Sequence, residues 1–224
     1  MSNKPIRIAI FGSTGAGKTS FINNATGANL EVGEGANSSG SSSGQSRRPK
    51  GHHTCYVIGV SGQVRSGDRF GDTDLEDPQL FLRVTNWLAN SYKQKGPLNG
   101  AIFLQSISQP RVELAEMNAI QLFEKILGDS AYPWAMVVSS FWNQVNEAFA
   151  TKNESNREKT WQRLGTGGAR FGRFHATEAS ALQIVQHFLN FRDAPLLLPQ
   201  EAIQLQGQVW STSAAIDTNG SRLC

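Results

Sequence analysis

The sequence predicts an α/β protein, a three-layer sandwich in which helices flank a mostly parallel sheet on both faces. Short apolar runs alternate with stretches of helical periodicity through most of the 224 residues, and such alternation is typical of parallel sheets with helical crossovers. The first run, Ile6–Phe11, is nearly continuous, as in a strand that is buried on both faces. A glycine-rich segment follows it, at the point where such sheets bind ligands.

The first half of the chain continues from this strand with a helix expected over residues 17–26. An apolar run at residues 54–60 predicts a second strand. Asp77 and Pro78 mark the start of a second helix, because aspartate caps helix N-termini and proline is favoured at the first helical position. Apolar residues then keep helical spacing to about residue 93.

The second half of the chain shows the same alternation. Apolar runs predict three strands, of which the last is the weakest, at 100–107, 134–141 and 170–176. Helical spacing predicts helices at 115–127, 143–164 and 182–189, and a further helix beginning near Leu196. Gly128 is expected to end the first of these helices, because glycine readily adopts the conformation of a helix C-cap.

Two stretches lack the apolar side chains that a packed element needs. Residues 28–53 are rich in Gly and Ser and become basic towards their end, so burial offers little to offset the entropy of ordering. We expect a flexible loop there. His52 and His53 close it and, without further His or Cys partners, are expected to be solvated rather than metal ligands. Residues 61–74 are again polar and glycine-rich.

Composition and charge argue against several classes of protein. The net charge is +3, from 21 basic and 18 acidic residues without a long run of one sign, so we expect no nucleic-acid partner. The two cysteines, Cys55 and Cys224, are too few for a disulfide framework or a metal knuckle. No apolar run reaches the roughly 18 to 20 residues of a membrane span, and residues 1–7 lack the core of a signal peptide. We therefore expect a cytoplasmic protein with no transmembrane segment.

The segment FGSTGAGKTS, residues 11–20, matches the phosphate-loop pattern of glycine, four residues, then Gly-Lys-Ser/Thr, and lies between a predicted strand and a predicted helix. Its glycines let backbone N–H groups turn inward around phosphate oxygens, and the helix N-terminus reinforces this nest. Lys18 is expected to hold the β- and γ-phosphates, and the hydroxyl of Thr19 to ligate Mg²⁺. The predicted phosphate-binding residues are Gly12, Ser13, Thr14, Gly15, Ala16, Gly17, Lys18, Thr19 and Ser20.

The alternative interpretation of this segment is a glycine-rich turn that only connects strand and helix. That interpretation does not account for a Lys-Thr pair at this offset. The motif by itself does not distinguish ATP from GTP, nor hydrolysis from retention of the nucleotide.

With this motif in place, residues 6–192 resemble a P-loop GTPase of the septin-like and AIG/IMAP kind, in particular the fungal "G domain-containing" relatives. Beyond the phosphate loop, the resemblance rests on LEVGEGANS after the first helix, on the ordered stretch of residues 71–112, on VVSSFWNQV and on TEASALQIV. It implies a G-like nucleotide-binding domain at residues 1–192 that uses GTP or GDP with Mg²⁺. Residues 193–224 would then form a C-terminal helical extension or tail that packs on the domain or pairs chains.

The motif that binds the metal in these relatives is altered in this chain. The relatives carry Asp-Thr-Pro-Gly, in which the aspartate holds Mg²⁺ through water. The most similar segment of this chain is the Asp-x-x-Gly stretch that begins at Asp68. Asp68 is therefore a metal-side candidate beside Thr19. Alternatively, residues 70–73 match the residues that follow the family's glycine, and the aspartate segment is missing. One strand, rather than the family's two, is predicted between the first helix and Asp68. Thr54 and the serines of residues 38–46 are candidates for the threonine that closes over Mg²⁺, and the favoured alternative is that they belong to an ordinary Gly/Ser loop.

The base-recognition motifs are altered as well. Relatives carry Thr-x-Trp-Asp, whose aspartate accepts from guanine N1–H and N2–H₂, where this chain reads SFWN at residues 140–143. Asn143 has one acceptor oxygen and an NH₂ donor, which weakens the fork to guanine. Trp142 either flanks the base or belongs to the core or rim of the fold. Ser180 and Ala181 resemble the family's Ser-Ala-x turn, whose backbone N–H meets guanine O6.

The resemblance leaves three functions open. The first is a guanine-nucleotide-binding switch, a slow Mg²⁺-dependent GTPase, that pairs with a second copy or an effector protein. The second is a degenerate interaction module that retains nucleotide without hydrolysing it, which the altered motifs favour. The third and least favoured is an adenine-nucleotide enzyme. No residue is identifiable as the glutamine or arginine that assists hydrolysis elsewhere, so the catalytic residues stay unassigned.

Overall fold

A sheet of five strands forms the centre of the described part of the chain. The computed structural model describes residues 6–13, 15–27, 52–53, 56–60, 73–74, 78–191 and 194–204. In chain order the strands are β1 (Ile6–Phe11), β2 (His52–His53), β3 (Tyr56–Val60), β4 (Thr73–Asp74), β5 (Gly100–Ser106), β6 (Ala135–Ser140) and β7 (Arg170–Arg173). The central sheet has the order β3-β1-β5-β6-β7, and β2 pairs with β4 in a separate two-stranded sheet.

The central sheet is mostly parallel, as predicted. Strand β1 pairs in parallel with β5, β5 with β6, and β6 with β7, so these four strands end at the same edge, which we name the carboxyl edge. Strand β3 runs antiparallel to β1, with Tyr56 beside Ile10 and Val60 beside Ile6. The beginning of β3, and not its end, therefore lies at the carboxyl edge.

Helices cover both faces of the sheet. They are α1 (Lys18–Thr26), α2 (Pro78–Lys95), α3 (Leu114–Leu127), α4 (Glu147–Thr166), α5 (Glu178–Gln186) and α6 (Leu197–Gln204). Because successive residues of a strand point to opposite faces, Ile8 and Ile10 join a core with α1 and α5, while Ala9 and Phe11 join a core with α2, α3 and α4. This is the predicted three-layer sandwich. No helix in the described part of the chain combines the length and apolar character that a membrane crossing requires.

The start of α4 lies later in the chain than predicted. The helix begins at Glu147 rather than near residue 143, because Asn146 caps it: Asn146 Oδ1 accepts a hydrogen bond of 2.9 Å from the N–H of Ala148. Residues 141–146 are left as a loop at the carboxyl edge.

Two other predicted boundaries also change. Strand β7 ends at Arg173, three residues before the predicted end, and a turn of residues 174–177 leads into α5. His52 and His53, which were expected within a flexible loop, form strand β2. The remainder of that predicted loop, residues 28–51, lies outside the described residues.

Residues 194–204 pack on the domain. The N–H of Ala194 donates a hydrogen bond of 2.7 Å to Leu98 O, and the hydroxyl of Tyr92 donates one of 3.1 Å to Ala194 O. Leu196 is fully buried in the core of the α2, α3 and α4 face, and helix α6 contacts α2 and α3. Residues 194–204 therefore pack on the domain, and the pairing of chains through the extension stays a prediction.

Candidate functional site

The phosphate-loop segment connects β1 to α1 at the carboxyl edge. Gly12, Gly15 and Gly17 have φ angles of 144°, 82° and 88°, in the range that glycine adopts without strain. A side chain at Gly12 would also collide with the carbonyl oxygen of Leu104 in β5. These glycines therefore permit a turn that other residues would not. Thr14, a predicted member of the site, lies outside the described residues.

Lys18 braces the loop from inside its curve. It is 5% exposed, and its Nζ donates hydrogen bonds to the carbonyl oxygens of Gly12 at 2.9 Å and Ser13 at 2.7 Å. The N–H of Ala16 donates to the oxygen of Ser13 at 3.1 Å and closes a turn within the loop. An ammonium charge thus lies where it would attract the oxygens of a phosphate group.

The first turn of α1 adds further positive potential. The N–H groups at the start of a helix lack intrahelical acceptors, and the helix dipole adds partial positive charge there. Thr19 and Ser20 lie in this turn, half-buried, and no acidic side chain occupies it. The loop and the helix together form a site that suits a multiply charged anion.

The end of β6 is tied to the phosphate loop. The hydroxyl of Ser140 donates a hydrogen bond of 2.8 Å to Ala16 O and lies 3.2 Å from Gln105 O in β5. Phe141 follows with a φ of 70°, which is strained for a bulky residue, and a Cβ added to Gly17 would lie 3.7 Å from its ring. Sequence reasoning missed Phe141, because an aromatic residue after a strand gives no signal of a left-handed backbone.

Trp142 is the buried member of the loop that follows β6. It is 8% exposed, packs in a small cluster with Ile107 and Ala150, and donates a hydrogen bond of 2.9 Å from Nε1 to Ser139 Oγ. The guanidinium carbon of Arg173 lies 4.2 Å from the centroid of its ring. Of the two interpretations of Trp142, the structure therefore favours the core one over the base-flanking one.

Asn143, which follows Trp142, is exposed at the same edge. The amide is therefore accessible to a ligand bound over the carboxyl ends of β6 and β7, and its predicted role stays a prediction.

Ser180 and Ala181 lie inside the first turn of α5 and not in the turn that follows β7. The N–H of Ala181 donates to Thr177 O at 3.1 Å as part of the helix. The N–H of Ser180 donates to Thr177 Oγ1 at 3.2 Å, and Ser180 Oγ accepts a hydrogen bond from the N–H of Thr177. These two bonds form a capping box. The N–H that the family motif assigns to a base oxygen is thus engaged within the helix, and the predicted role of Ser180 and Ala181 towards the base stays a prediction.

Residues 174–177 form the turn itself. The N–H of Phe174 donates to Ser139 O at 2.8 Å, and the N–H groups of His175 and Thr177 lie 3.2 and 3.4 Å from Ser180 Oγ. Ala176 has a φ of 56°, and within the described residues its N–H makes no hydrogen bond. Among these four N–H groups, the one on Ala176 is left for a ligand.

Of the two candidate metal ligands, Thr19 and Asp68, the structure describes Thr19. Thr19 lies beside the phosphate loop, whereas Asp68 is outside the described residues. Strand β3, which precedes Asp68, ends with Val60 beside Ile6, at the edge opposite the phosphate loop. Within the described residues, no group of three or more His, Cys, Asp and Glu side chains could hold a metal ion.

Comparisons with known proteins bear on the fold alone. No protein-family model matches the sequence, and no curated protein sequence matches it. Among the solved structures that resemble the chain is Toc33 from Arabidopsis thaliana, determined as a dimerization-deficient mutant, with a TM-score of 0.55 and 12% sequence identity. The similarity covers 84% of this chain and 85% of that one. The chain therefore has an α/β fold of the P-loop, G-domain type, with four parallel strands and flanking helices.

Proposed function

We propose that the chain binds the guanine nucleotides GTP and GDP with Mg²⁺ at its phosphate loop, and that it acts as a nucleotide-dependent switch. The observation that carries the proposal is the loop itself. Three left-handed glycines curve it, the buried ammonium group of Lys18 lies inside the curve, and a helix N-terminus follows directly. The G-domain type of fold supports the proposal.

Each part of the site has a role towards the phosphates. The inward N–H groups bind phosphate oxygens, and Lys18 exchanges two carbonyl oxygens for the more strongly charged β- and γ-phosphate oxygens. Thr19 ligates Mg²⁺, which when bound neutralises charge between these phosphates. Asp68 is proposed as a second metal-side residue, acting through water.

The base is proposed to lie over the loops that follow β6 and β7, which are neighbours in the sheet. Asn143 accepts from guanine N1–H through its amide oxygen, and the N–H of Ala176 donates to guanine O6. Adenine presents an amino group at the position of O6, so a backbone donor there disfavours it. Ser180 acts through the capping box that holds the turn, and Ala181 through the hydrogen bond of its N–H to Thr177 O. Phe141, beside Gly17, limits the space available to the nucleotide.

Identifying the nucleotide released on denaturing the purified protein tests the proposal. Calorimetric titrations of nucleotide-free protein with GDP, GTP, ADP and ATP in the presence of Mg²⁺ then give affinities. We expect the guanine nucleotides to bind more tightly than the adenine nucleotides. Folded protein that gives no heat and no shift in melting temperature with any of the four would contradict the proposal, and a preference for adenine would favour an adenine-nucleotide enzyme.

Retention of GTP without hydrolysis is the second candidate function. It is favoured by the sequence, in which no water-positioning glutamine or arginine is recognisable. A single-turnover assay with radiolabelled GTP separates the two. Phosphate release that requires Mg²⁺ and is lost in Lys18→Ala indicates a slow GTPase, whereas intact GTP recovered from the complex indicates a nucleotide-retaining module.

We further propose that the chain pairs with a second copy, or with an effector protein, when nucleotide is bound, and that it does so in the cytoplasm. The support for pairing is an analogy of fold, since the similar structure of Toc33 is that of a dimerization-deficient mutant. Light scattering with GDP and with a non-hydrolysable GTP analogue tests pairing, and an unchanged monomer in both samples argues against a homodimer.

A further inference from the structure

We infer that Arg173 selects the base by donating hydrogen bonds to the O6 and N7 edge of guanine. The inference rests on the proposed nucleotide function and adds a specificity-determining side chain to it. Arg173 belongs to none of the motifs that the resemblance supplies.

The position of Arg173 places it between the two base-side loops. It is the last residue of β7 and pairs with Ser139 of β6, so it lies at the carboxyl edge, where its side chain contacts Glu154 of α4 and the ring of Trp142. Asn143 lies in the loop after β6, and Ala176 in the turn after β7. A base that contacts both of these residues lies over the two strand ends from which Arg173 projects.

The side chain of Arg173 is held in one orientation although it is 48% exposed. Its Nε and Nη2 donate to Glu154 Oε2 at 3.0 and 2.5 Å, and its guanidinium group lies 4.2 Å from the centroid of the Trp142 ring. Glu154 is fixed in turn, because Ser139 Oγ donates to Glu154 Oε1 at 2.7 Å. Exposed arginines ordinarily gain little from a single surface ion pair and keep their rotamer freedom. This arginine is preorganised instead.

One part of the guanidinium fork is left for a ligand. Nε and one N–H of Nη2 donate to Glu154, whereas Nη1 of Arg173 makes no hydrogen bond within the described residues. The edge formed by Nη1 and the second N–H of Nη2 can therefore donate to two acceptors. Guanine offers two acceptors, O6 and N7, on one edge, and arginine is the commonest specific partner of that edge. Adenine has an amino group in place of O6, so the same fork rejects it.

This assignment complements the other base contacts. Asn143 provides only one acceptor to the N1 and N2 edge of guanine, where the family's aspartate provides two. The N–H of Ala181 is engaged with Thr177 O and does not reach O6. Arg173 moves the basis of selection from the N1 and N2 edge of guanine to its O6 and N7 edge.

Calorimetry with three diphosphates tests the inference: GDP, ADP, and 7-deaza-GDP, which lacks the N7 acceptor. The variants are Arg173→Gln, Arg173→Lys, and a control, Arg170→Gln, at the other end of the same strand. We expect the parent to prefer GDP over 7-deaza-GDP. In Arg173→Gln the affinity for GDP should fall by at least about fivefold, the lower end of what a bidentate contact to a base provides. The affinity for ADP should stay unchanged, and the preference for N7 should disappear.

A merely structural role of Arg173 would give a different pattern. If the substitution only loosened the packing of Trp142, the affinities for GDP, 7-deaza-GDP and ADP would fall in the same proportion, and that result would overturn the inference. An unchanged affinity for GDP would overturn it as well. Arg173→Lys keeps a cation over Trp142 but replaces the fork that Glu154 orients by a flexible ammonium group, so its preference for N7 should be weaker than the parent's, and it serves if Arg173→Gln does not fold. A parent protein that binds none of the three diphosphates contradicts the proposed function, and the inference falls with it.

Discussion

At the scale of single residues, the placement of Lys18 decides what the site can bind. Its ammonium group is buried and donates to two carbonyl oxygens of its own loop. Carbonyl oxygens carry only partial charge, so a phosphate is a stronger partner for the same donors. The lysine therefore supports the loop by itself and still gains from a phosphate.

Replacing Lys18 by alanine should weaken nucleotide binding by about tenfold or more, because hydrogen bonds to charged groups contribute about 1.5–3 kcal/mol each. Calorimetry with GDP and GTP measures the change. Lys152→Ala, at an exposed position of α4, is the control and should leave both affinities unchanged. A Kd that is the same in Lys18→Ala and in the parent would contradict the assignment.

Asn143 is the residue at which guanine affinity can be increased. In Asn143→Asp the carboxylate supplies two acceptors to N1–H and N2–H₂, so GDP should bind at least about fivefold more tightly. Inosine diphosphate lacks the 2-amino group and should gain less. Gln144→Glu places the same new charge on the next exposed residue, and an equal gain in that variant would show that charge alone is responsible.

At the scale of elements, the junction of β1 and α1 depends on where its glycines are. A Cβ at Gly12 collides with Leu104 O in β5, whereas a Cβ at Gly15 meets nothing within 4 Å. Both residues have positive φ angles, so both substitutions carry a strain of about 1–2 kcal/mol. Only Gly12 adds a steric conflict with a neighbouring strand.

Gly12→Ala should therefore lower the free energy of unfolding by at least about 1 kcal/mol more than Gly15→Ala does. Urea denaturation of the two variants without nucleotide measures the difference. Equal losses would show that the close approach of Gly12 to β5 does not limit this turn.

The loops at the carboxyl edge show why part of the site is hidden from sequence reasoning. The letters Ser-Ala at residues 180–181 match a family turn, yet the capping box of Thr177 and Ser180 draws them into α5. The residue with the unengaged N–H is Ala176, and its left-handed φ has no signature in the sequence. The phosphate loop, in contrast, was predictable because its glycines and lysine have fixed spacing.

At the scale of the whole molecule, the alternation of apolar runs was enough to predict the architecture. Long elements such as α2 and α3 repeat their period several times, and the parallel strands β1, β5 and β6 are buried apolar runs. The fourth parallel strand, β7, is mostly exposed, which is why its signal in the sequence is the weakest. The direction of β3 was not predictable, since an apolar run reads the same in either orientation. The strands β2 and β4 have two residues each and are too short to show any period.

The stability of the whole fold should depend on pH through His187. Its ring packs against Phe188 and Phe191, with centroids at 5.2 and 4.8 Å, and within the described residues its Nε2 is buried without a hydrogen-bond partner. Burial, and then the charge of Arg170, lowers the pKa of His187 below its ordinary value of 6.5. The unfolded chain thus binds this proton more readily than the folded protein does.

The contribution of His187 to stability should be fully present above about pH 6.5 and should be lost progressively as the pH falls from there towards the lowered pKa. Melting temperatures measured at intervals between pH 7.5 and about 5 test this. His187→Gln should flatten the dependence in this range. A variant with the same slope as the parent would assign the pH dependence to other groups.

The antiparallel direction of β3 provides a way to follow nucleotide binding by fluorescence. Because Tyr56 sits next to Ile10, the chain enters that strand one residue short of the junction where nucleotide is proposed to bind, and Cys55 is the residue just before it. A fluorophore attached to Cys55, with Cys224 changed to serine, should brighten or dim as nucleotide is added. The same dye on a cysteine introduced directly after Val60, which lies at the edge of the sheet opposite the phosphate loop, should show no change in fluorescence when nucleotide is added.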